Sequence, residues 1–189
     1  MAGGSTDANG GGIYNDSGTV TVSDVTFSGN AAPNGGGIYS TGTLTISNSL
    51  FTANSSADGG GVRNVSGTVT MTNVTFSTNS ATGSGGAFWT TGGTATINNC
   101  TFSGNTAATG GGISHQGGTT ITLKNTLLAN NTNGNCSAAP ITDAGYNLDS
   151  GITCGFASNN NSLNGTNPLL GTLADNGGFT QTMALGAVN

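Results

Sequence analysis

Seven carboxylates, one imidazole, two cations, three thiols and three phenols are the whole stock of ionisable side chains in this 189-residue chain. Acid–base or metal chemistry would need some of them brought together. The acids are all aspartates, Asp7, Asp16, Asp24, Asp58, Asp143, Asp149 and Asp175, and they are scattered. Asp24 aligns with Asn48, Asn73, Asn99 and Asn125, so no two carboxylates share a column of the repeat and no paired acid and base is indicated. His115 has no partner ligand or nucleophile motif beside it and reads as an exposed turn residue. Glycine-rich calcium repeats of the G-G-x-G-x-D kind are missing. The sequence therefore predicts no catalytic residue, no metal site and no cofactor, and a protein that is not an enzyme.

Hydroxyls are the one functional group set out in order. Thr19 and Thr21, Thr43 and Thr45, Thr68 and Thr70, Thr94 and Thr96, and Thr120 and Thr122 form five Thr-x-Thr units. The residue between each pair is apolar: Val20, Leu44, Val69, Ala95 and Ile121. In a strand, alternate side chains face opposite ways, so both threonines of a unit share one face and the apolar residue takes the other. Stacked units would make two columns of Thr. Generic strand preference for a β-branched polar residue does not explain them, because neighbouring columns vary freely. One reads Ser23, Ser47, Thr72, Asn98, Lys124, and another Tyr14, Tyr39, Arg63, Trp89, Ser114.

The element that must position these units is a coil. Ile13, Ile38, Val62, Phe88 and Ile113 each follow a glycine-rich triplet at successive spacings of 25, 24, 26 and 25. Each coil then holds a turn, the Thr-x-Thr strand, and a segment ending in a column of Phe27, Phe51, Phe76, Phe102 and Leu128. Three residues later come Asn30, Asn54, Asn79, Asn105 and Asn131, placed to satisfy turn backbone and to tolerate a left-handed conformation. A content of 33% hydrophobic residues with 35 glycines would ordinarily suggest disorder, but the strict register of the apolar residues argues against it. The sequence predicts an all-β fold: a single-stranded, three-faced parallel β-helix of about 25 residues per coil over residues 1–132, with a non-repetitive C-terminal cap over 133–189. Helical repeats lack their helix formers here.

Charge and hydropathy narrow the partners. A net charge of -5, with Arg63 and Lys124 the only bases, offers no footprint for nucleic acid or an anionic membrane. No run approaches the roughly 20 apolar residues of a membrane span, so membrane insertion is not expected. Met1-Ala2-Gly3-Gly4-Ser5 lacks the basic and apolar regions of a signal peptide and reads as the start of a mature fragment.

The paired signals Gly-Gly-Gly-Ile and Phe-x-x-Asn, as in Phe27-Ser28-Gly29-Asn30 and Phe76-Ser77-Thr78-Asn79, resemble the repeats of polymorphic outer membrane proteins and related secreted bacterial β-helices of the pectin-lyase-like fold. The resemblance covers about residues 10 to 132, with Ala87 in place of a glycine and Leu128 in place of Phe. It implies a right-handed β-helix and a class that includes adhesins. From Asn133 the period stops, and the segments around Cys136, Tyr146, Cys154 and Asn167 to Gly178 resemble the C-terminal parts of such proteins. A disulfide between Cys136 and Cys154 is expected in the cap, implying an oxidising, extracytoplasmic location. Cys100 falls in an inward column with Val25, Ser49, Val74 and Thr126 and is expected to be a buried thiol.

The Thr columns resemble the Thr-x-Thr surface of β-solenoid antifreeze proteins. Threonines about 6.7 Å apart along a strand and about 4.8 Å apart between rungs form a flat grid whose spacings approximate oxygen repeats on ice planes. The leading expectation is a secreted, monomeric ice-binding protein whose partner is the ice crystal surface. The alternative is a secreted or cell-surface adhesin or structural β-helix, with its contacts on varied residues such as Tyr39, Arg63 and Trp89.

Overall fold

The computed structural model describes residues 1–5, 8–137 and 141–186. The chain winds as a parallel β-solenoid with three long sheets. The first contains Ile13–Asn15, Ile38–Ser40, Val62–Asn64, Phe88–Thr90 and Ile113–His115, stacked in chain order. The second, the threonine sheet, contains Thr19–Ser23, Thr43–Ser47, Thr68–Thr72, Thr94–Asn98 and Thr120–Lys124. The third, the phenylalanine sheet, contains Thr26–Ser28, Leu50–Thr52, Thr75–Ser77, Thr101–Ser103 and Leu127–Ala129. Each strand pairs with its equivalent one coil away, Ile13 with Ile38 and Phe27 with Phe51, so the repeat of about 25 residues is one turn of the solenoid.

Alternation decides which side chains go inside. Leu44, Val69, Ala95 and Ile121 are buried, as are Val22, Ile46, Met71, Ile97 and Leu123 two positions on, while the threonines flanking the first set face outward. Phe27, Phe51, Phe76 and Phe102 are fully buried, with ring centroids 4.6, 4.8 and 4.8 Å apart and interplanar angles of 15° or less. That spacing equals the strand separation, so one ring fits each rung, and each contributes about 2–3 kcal/mol by burial. Glycine is required where rungs crowd. A Cβ on Gly67 would lie 1.7 Å from the Gly42 carbonyl oxygen, and one on Gly37 would lie 2.9 Å from the Phe51 ring.

The asparagine column is an internal ladder. Asn30, Asn54, Asn79 and Asn105 are buried, and each donates from both its backbone N and its Nδ2 to the Oδ1 of the next, at 2.9 to 3.1 Å. Asn131 passes the pattern to Asn135. These residues satisfy turn backbone as expected, but they are not the left-handed ones. Positive φ falls one residue earlier, at Gly29, Ala53, Thr78, Gly104 and Asn130, and again at the corner column Asp24, Asn48, Asn73, Asn99 and Asn125. The ladder residue must turn its amide inward along the axis, and the residue before it absorbs the bend.

The period ends near Asn133, yet coiling continues. Thr142–Asp143 pairs in parallel with Thr122 and Leu123, Leu148–Asp149 pairs with Leu127 and Leu128, and Leu163–Asn164 stacks on that. Asp149 takes the place of Phe in the inward column. It is fully buried, and its carboxylate accepts from Asn135 Nδ2 at 2.6 Å and from the backbone N of Gly151 and Cys154 at 2.8 Å. The asparagine ladder thus ends on a group that only accepts. Cys136 and Cys154 are joined as a disulfide beside it, and Cys100 is a free buried thiol.

Beyond this, Leu170–Ala174 and Thr182–Leu185 form an antiparallel hairpin separate from the solenoid's sheets. It folds back along the corner column. Leu170, Met183 and Leu185 line a cleft shared with Thr101 and Leu127 at one end, while Thr180 Oγ1 donates to the Asn48 carbonyl at 3.3 Å at the other. Leu50 and Thr75, in the outward column between those ends, are correspondingly buried.

Candidate functional site

The five Thr-x-Thr units come together in one sheet and in register. Thr19 pairs with Thr43, Thr21 with Thr45, Thr45 with Thr70, Thr68 with Thr94, Thr70 with Thr96, Thr94 with Thr120 and Thr96 with Thr122. Thr19, Thr43, Thr68, Thr94 and Thr120 are exposed. In the second column Thr21 and Thr96 are exposed, and Thr45, Thr70 and Thr122 are half-buried by their neighbours. Along a strand the two columns are about 6.7 Å apart, and the rungs are spaced by about 4.8 Å.

The hydroxyls of this grid are uncommitted. Among the described residues none of the ten donates or accepts a side-chain hydrogen bond; Thr41, Thr78, Thr90, Thr91 and Thr126 bond to the protein, while Thr26, Thr75 and Thr101 of the phenylalanine sheet, like the grid, do not. A threonine that is not holding its own chain together presents both a methyl and a free hydroxyl to whatever lies outside.

Thr142 is a further member of the array. It pairs with Thr122, is exposed, and extends the second column into the non-repetitive segment. Periodic counting misses it because this coil is short: the corner residue Asn125 is followed by its equivalent, Tyr146, only 21 positions later. The column beside the array, Ser23, Ser47, Thr72, Asn98 and Lys124, borders the corner along which the hairpin lies.

A different ladder runs along the first sheet. The rings of Tyr14 and Tyr39 stack at 5.4 Å. Arg63 inserts between Tyr39 and Trp89, its guanidinium 5.8 Å from one ring centroid and 4.3 Å from the other. Asp58 Oδ2 lies 3.7 Å from Arg63 Nη1, which also donates to Asn34. Cation–π contact of this kind is worth about 0.5–2 kcal/mol. Expected as varied exposed contacts, these residues are instead packed on one another. Trp89 is buried, Arg63 is largely covered, and Tyr14 alone is well exposed.

His115 is not exposed. It lies two residues after the inward Ile113, so alternation carries it into the polar inner column of Asn15, Ser40, Asn64 and Thr90, where it is 8% exposed. Among the described residues neither ring nitrogen has a hydrogen-bond partner. No group of three or more His, Cys, Asp or Glu side chains that could hold a metal ion occurs among the described residues. No helix there is long and apolar enough to cross a membrane. Asp143, beneath Thr142, is an anchor. Burial would raise its pKa, but hydrogen bonds from the Ser162 hydroxyl, the Gly145 backbone, the Asn147 amide and the Ala157 backbone outweigh that and hold it below the ordinary carboxylate value.

Three stretches of the chain, residues 24–41, 73–91 and 99–116, match the Chlamydia polymorphic membrane protein repeat. Each begins at a left-handed corner residue, Asp24, Asn73 or Asn99, and runs through the phenylalanine strand, the ladder asparagine and the glycine-rich turn to just past the first-sheet strand. All ten array threonines lie outside the matched stretches. No curated protein and no solved structure matches the chain.

Proposed function

We propose that this chain is a surface-exposed repeat β-helix, secreted or held at the cell surface, that acts by contact and not by catalysis. The observation that carries this reading is the threefold match to the polymorphic membrane protein repeat within a β-solenoid of the same period. The disulfide at Cys136 and Cys154 supports an oxidising, extracytoplasmic setting. Protease treatment of intact cells tests the location: an antibody to the folded chain should lose its signal without lysis. A signal that survives on intact cells and disappears only after lysis overturns the reading.

A second reading is carried by the threonine grid. Its uncommitted hydroxyls, its register and its absence from the repeat match support a face that adsorbs to ice. Each methyl would sit in a cage of ordered water and each hydroxyl would anchor it. No charged side chain interrupts the two columns. Thermal hysteresis of the purified chain tests this directly, and freezing with no gap between melting and growth temperatures removes it.

A further inference from the structure

The corner between the threonine and phenylalanine sheets is left-handed on every rung. Asp24, Asn48, Asn73, Asn99 and Asn125 occupy it, with φ between 47° and 60°. Asp and Asn tolerate that conformation because their short polar side chains can bond locally. On the next rung the position belongs to Tyr146, at φ 59°, where a bulky side chain is an outlier. The residue is 62% exposed, so core packing does not hold it there. A strained backbone that displays an aromatic ring is the kind of departure that marks a ligand site.

The surroundings of Tyr146 fit that role. A cleft of about 300 Å³ opens beside it, lined also by Asp143, Gly145, Asn159, Asn160 and Asn161. The backbone that shapes it is fixed: Tyr146 N donates to the Asn160 carbonyl at 3.0 Å, and Asn160 Nδ2 donates to the Asp143 carbonyl at 2.8 Å. The side-chain amides of Asn159 and Asn161 make no hydrogen bond among the described residues, and both residues are exposed. Each offers two donors and an acceptor. Asp143 Oδ2 accepts one bond, from Ala157 N, and can accept another.

We propose that Tyr146 and this cleft form a binding subsite for a neutral saccharide. A pyranose has an apolar face of axial C–H groups that stacks on an aromatic ring, and a rim of hydroxyls that both donate and accept. The ring supplies the platform, Asn159 and Asn161 meet hydroxyls in either sense, and the Asp143 carboxylate accepts from one more. Acidic sugars are disfavoured by that carboxylate and by the net charge of -5. The volume suits one or two sugar residues. The site does not involve the threonine grid, and it does not depend on where the chain resides.

Saturation-transfer NMR on the purified 189-residue chain tests it, with cellobiose, maltose and chitobiose each at about 10 mM, where an open single-subsite interaction of millimolar affinity is visible. At least one disaccharide should receive saturation on its ring C–H protons. Tyr146→Asn installs the residue that other corners use, so it should fold with an equal or higher Tm while losing binding at least tenfold. Asn161→Gly keeps a backbone that tolerates its positive φ and should weaken binding severalfold. Thr70→Tyr should leave binding unchanged. No transfer to any of the three disaccharides, or a Tyr146→Asn protein that binds like the parent, overturns the proposal.

Discussion

Replacing Asn79 with alanine removes the middle of the internal ladder. Its Nδ2 donates to Asn105 Oδ1 and to the Phe51 carbonyl, both at 2.9 Å, and its Oδ1 accepts from Asn54 N at 3.1 Å and Asn54 Nδ2 at 2.9 Å. Two of the bereft groups keep another partner: Asn105 Oδ1 still accepts from Asn79 N, and Asn54 Nδ2 still donates to the Phe27 carbonyl. The backbone N of Asn54 keeps none and is stranded in the interior. A buried orphan costs about 1–3 kcal/mol, and three further lost bonds cost about 0.5–1 kcal/mol each, so the expected loss is about 3–6 kcal/mol. Urea denaturation followed by far-UV circular dichroism reads this as a lowered midpoint with an unchanged slope, and Tm should fall by about 10–20 °C. Asn79→Asp should be worse than alanine, because it sets an acceptor against Asn105 Oδ1 and buries a charge. Ser80→Ala, next door and exposed, should stay within about 0.5 kcal/mol. A loss below about 1 kcal/mol for Asn79→Ala, or an aspartate milder than alanine, refutes the reasoning.

Four other outcomes are expected. Thr70→Tyr leaves the buried Val69 and Met71 untouched and should melt like the parent, but a ring in the middle of the grid should abolish most thermal hysteresis; full activity in that variant would remove the threonine face from the ice-binding reading. Cys154→Ser opens a link between residues 18 positions apart and should cost about 3 kcal/mol. In the native parent at pH 8, burial pushes the Cys100 thiol up to about 12, so thiol titration should find no reactive group until the chain is unfolded, and then one. Asp143 has a folded pKa below its unfolded value, so its contribution is present above about pH 4 and is lost as pH falls through the folded value; Asp143→Asn should flatten the acid limb of a Tm-against-pH curve, and an unchanged limb would show that the carboxylate is not the anchor.

The coil was legible because strand alternation and a nearly constant period act together. A residue such as Leu44 between Thr43 and Thr45 admits one orientation once its rung is fixed by Phe51 and Ile38. The Thr grid followed for the same reason. What escaped lies where those regularities break. Thr142 lies 20 residues after Thr122 and Tyr146 lies 21 after Asn125, so counting by 25 places them nowhere. Leu50 and Leu127 held an unread signal: two leucines in an outward column otherwise made of Thr26, Thr75 and Thr101 mark a face that something covers, here the C-terminal hairpin. His115, expected in an exposed turn because no ligand or nucleophile motif stands beside it, is buried because its parity with Ile113 faces it inward. The left-handed positions could not be separated by residue type, since Asn fills both the corner at Asn73 and the ladder at Asn79 and does different work in each.

Every bond between ladder amides runs the same way, from one coil to the next toward Asp149. A chain that emerges amino terminus first therefore meets its requirements in order. Each finished coil waits only for the one behind it, and the number of amides left waiting stays at one rung's worth however long the nascent stack becomes. Ladder donors facing the other way would have left that outstanding demand at the first coil throughout synthesis. With the arrow pointing forward, growth moves the unmet demand along the axis until Asp149, which has nothing to pass on, arrests it.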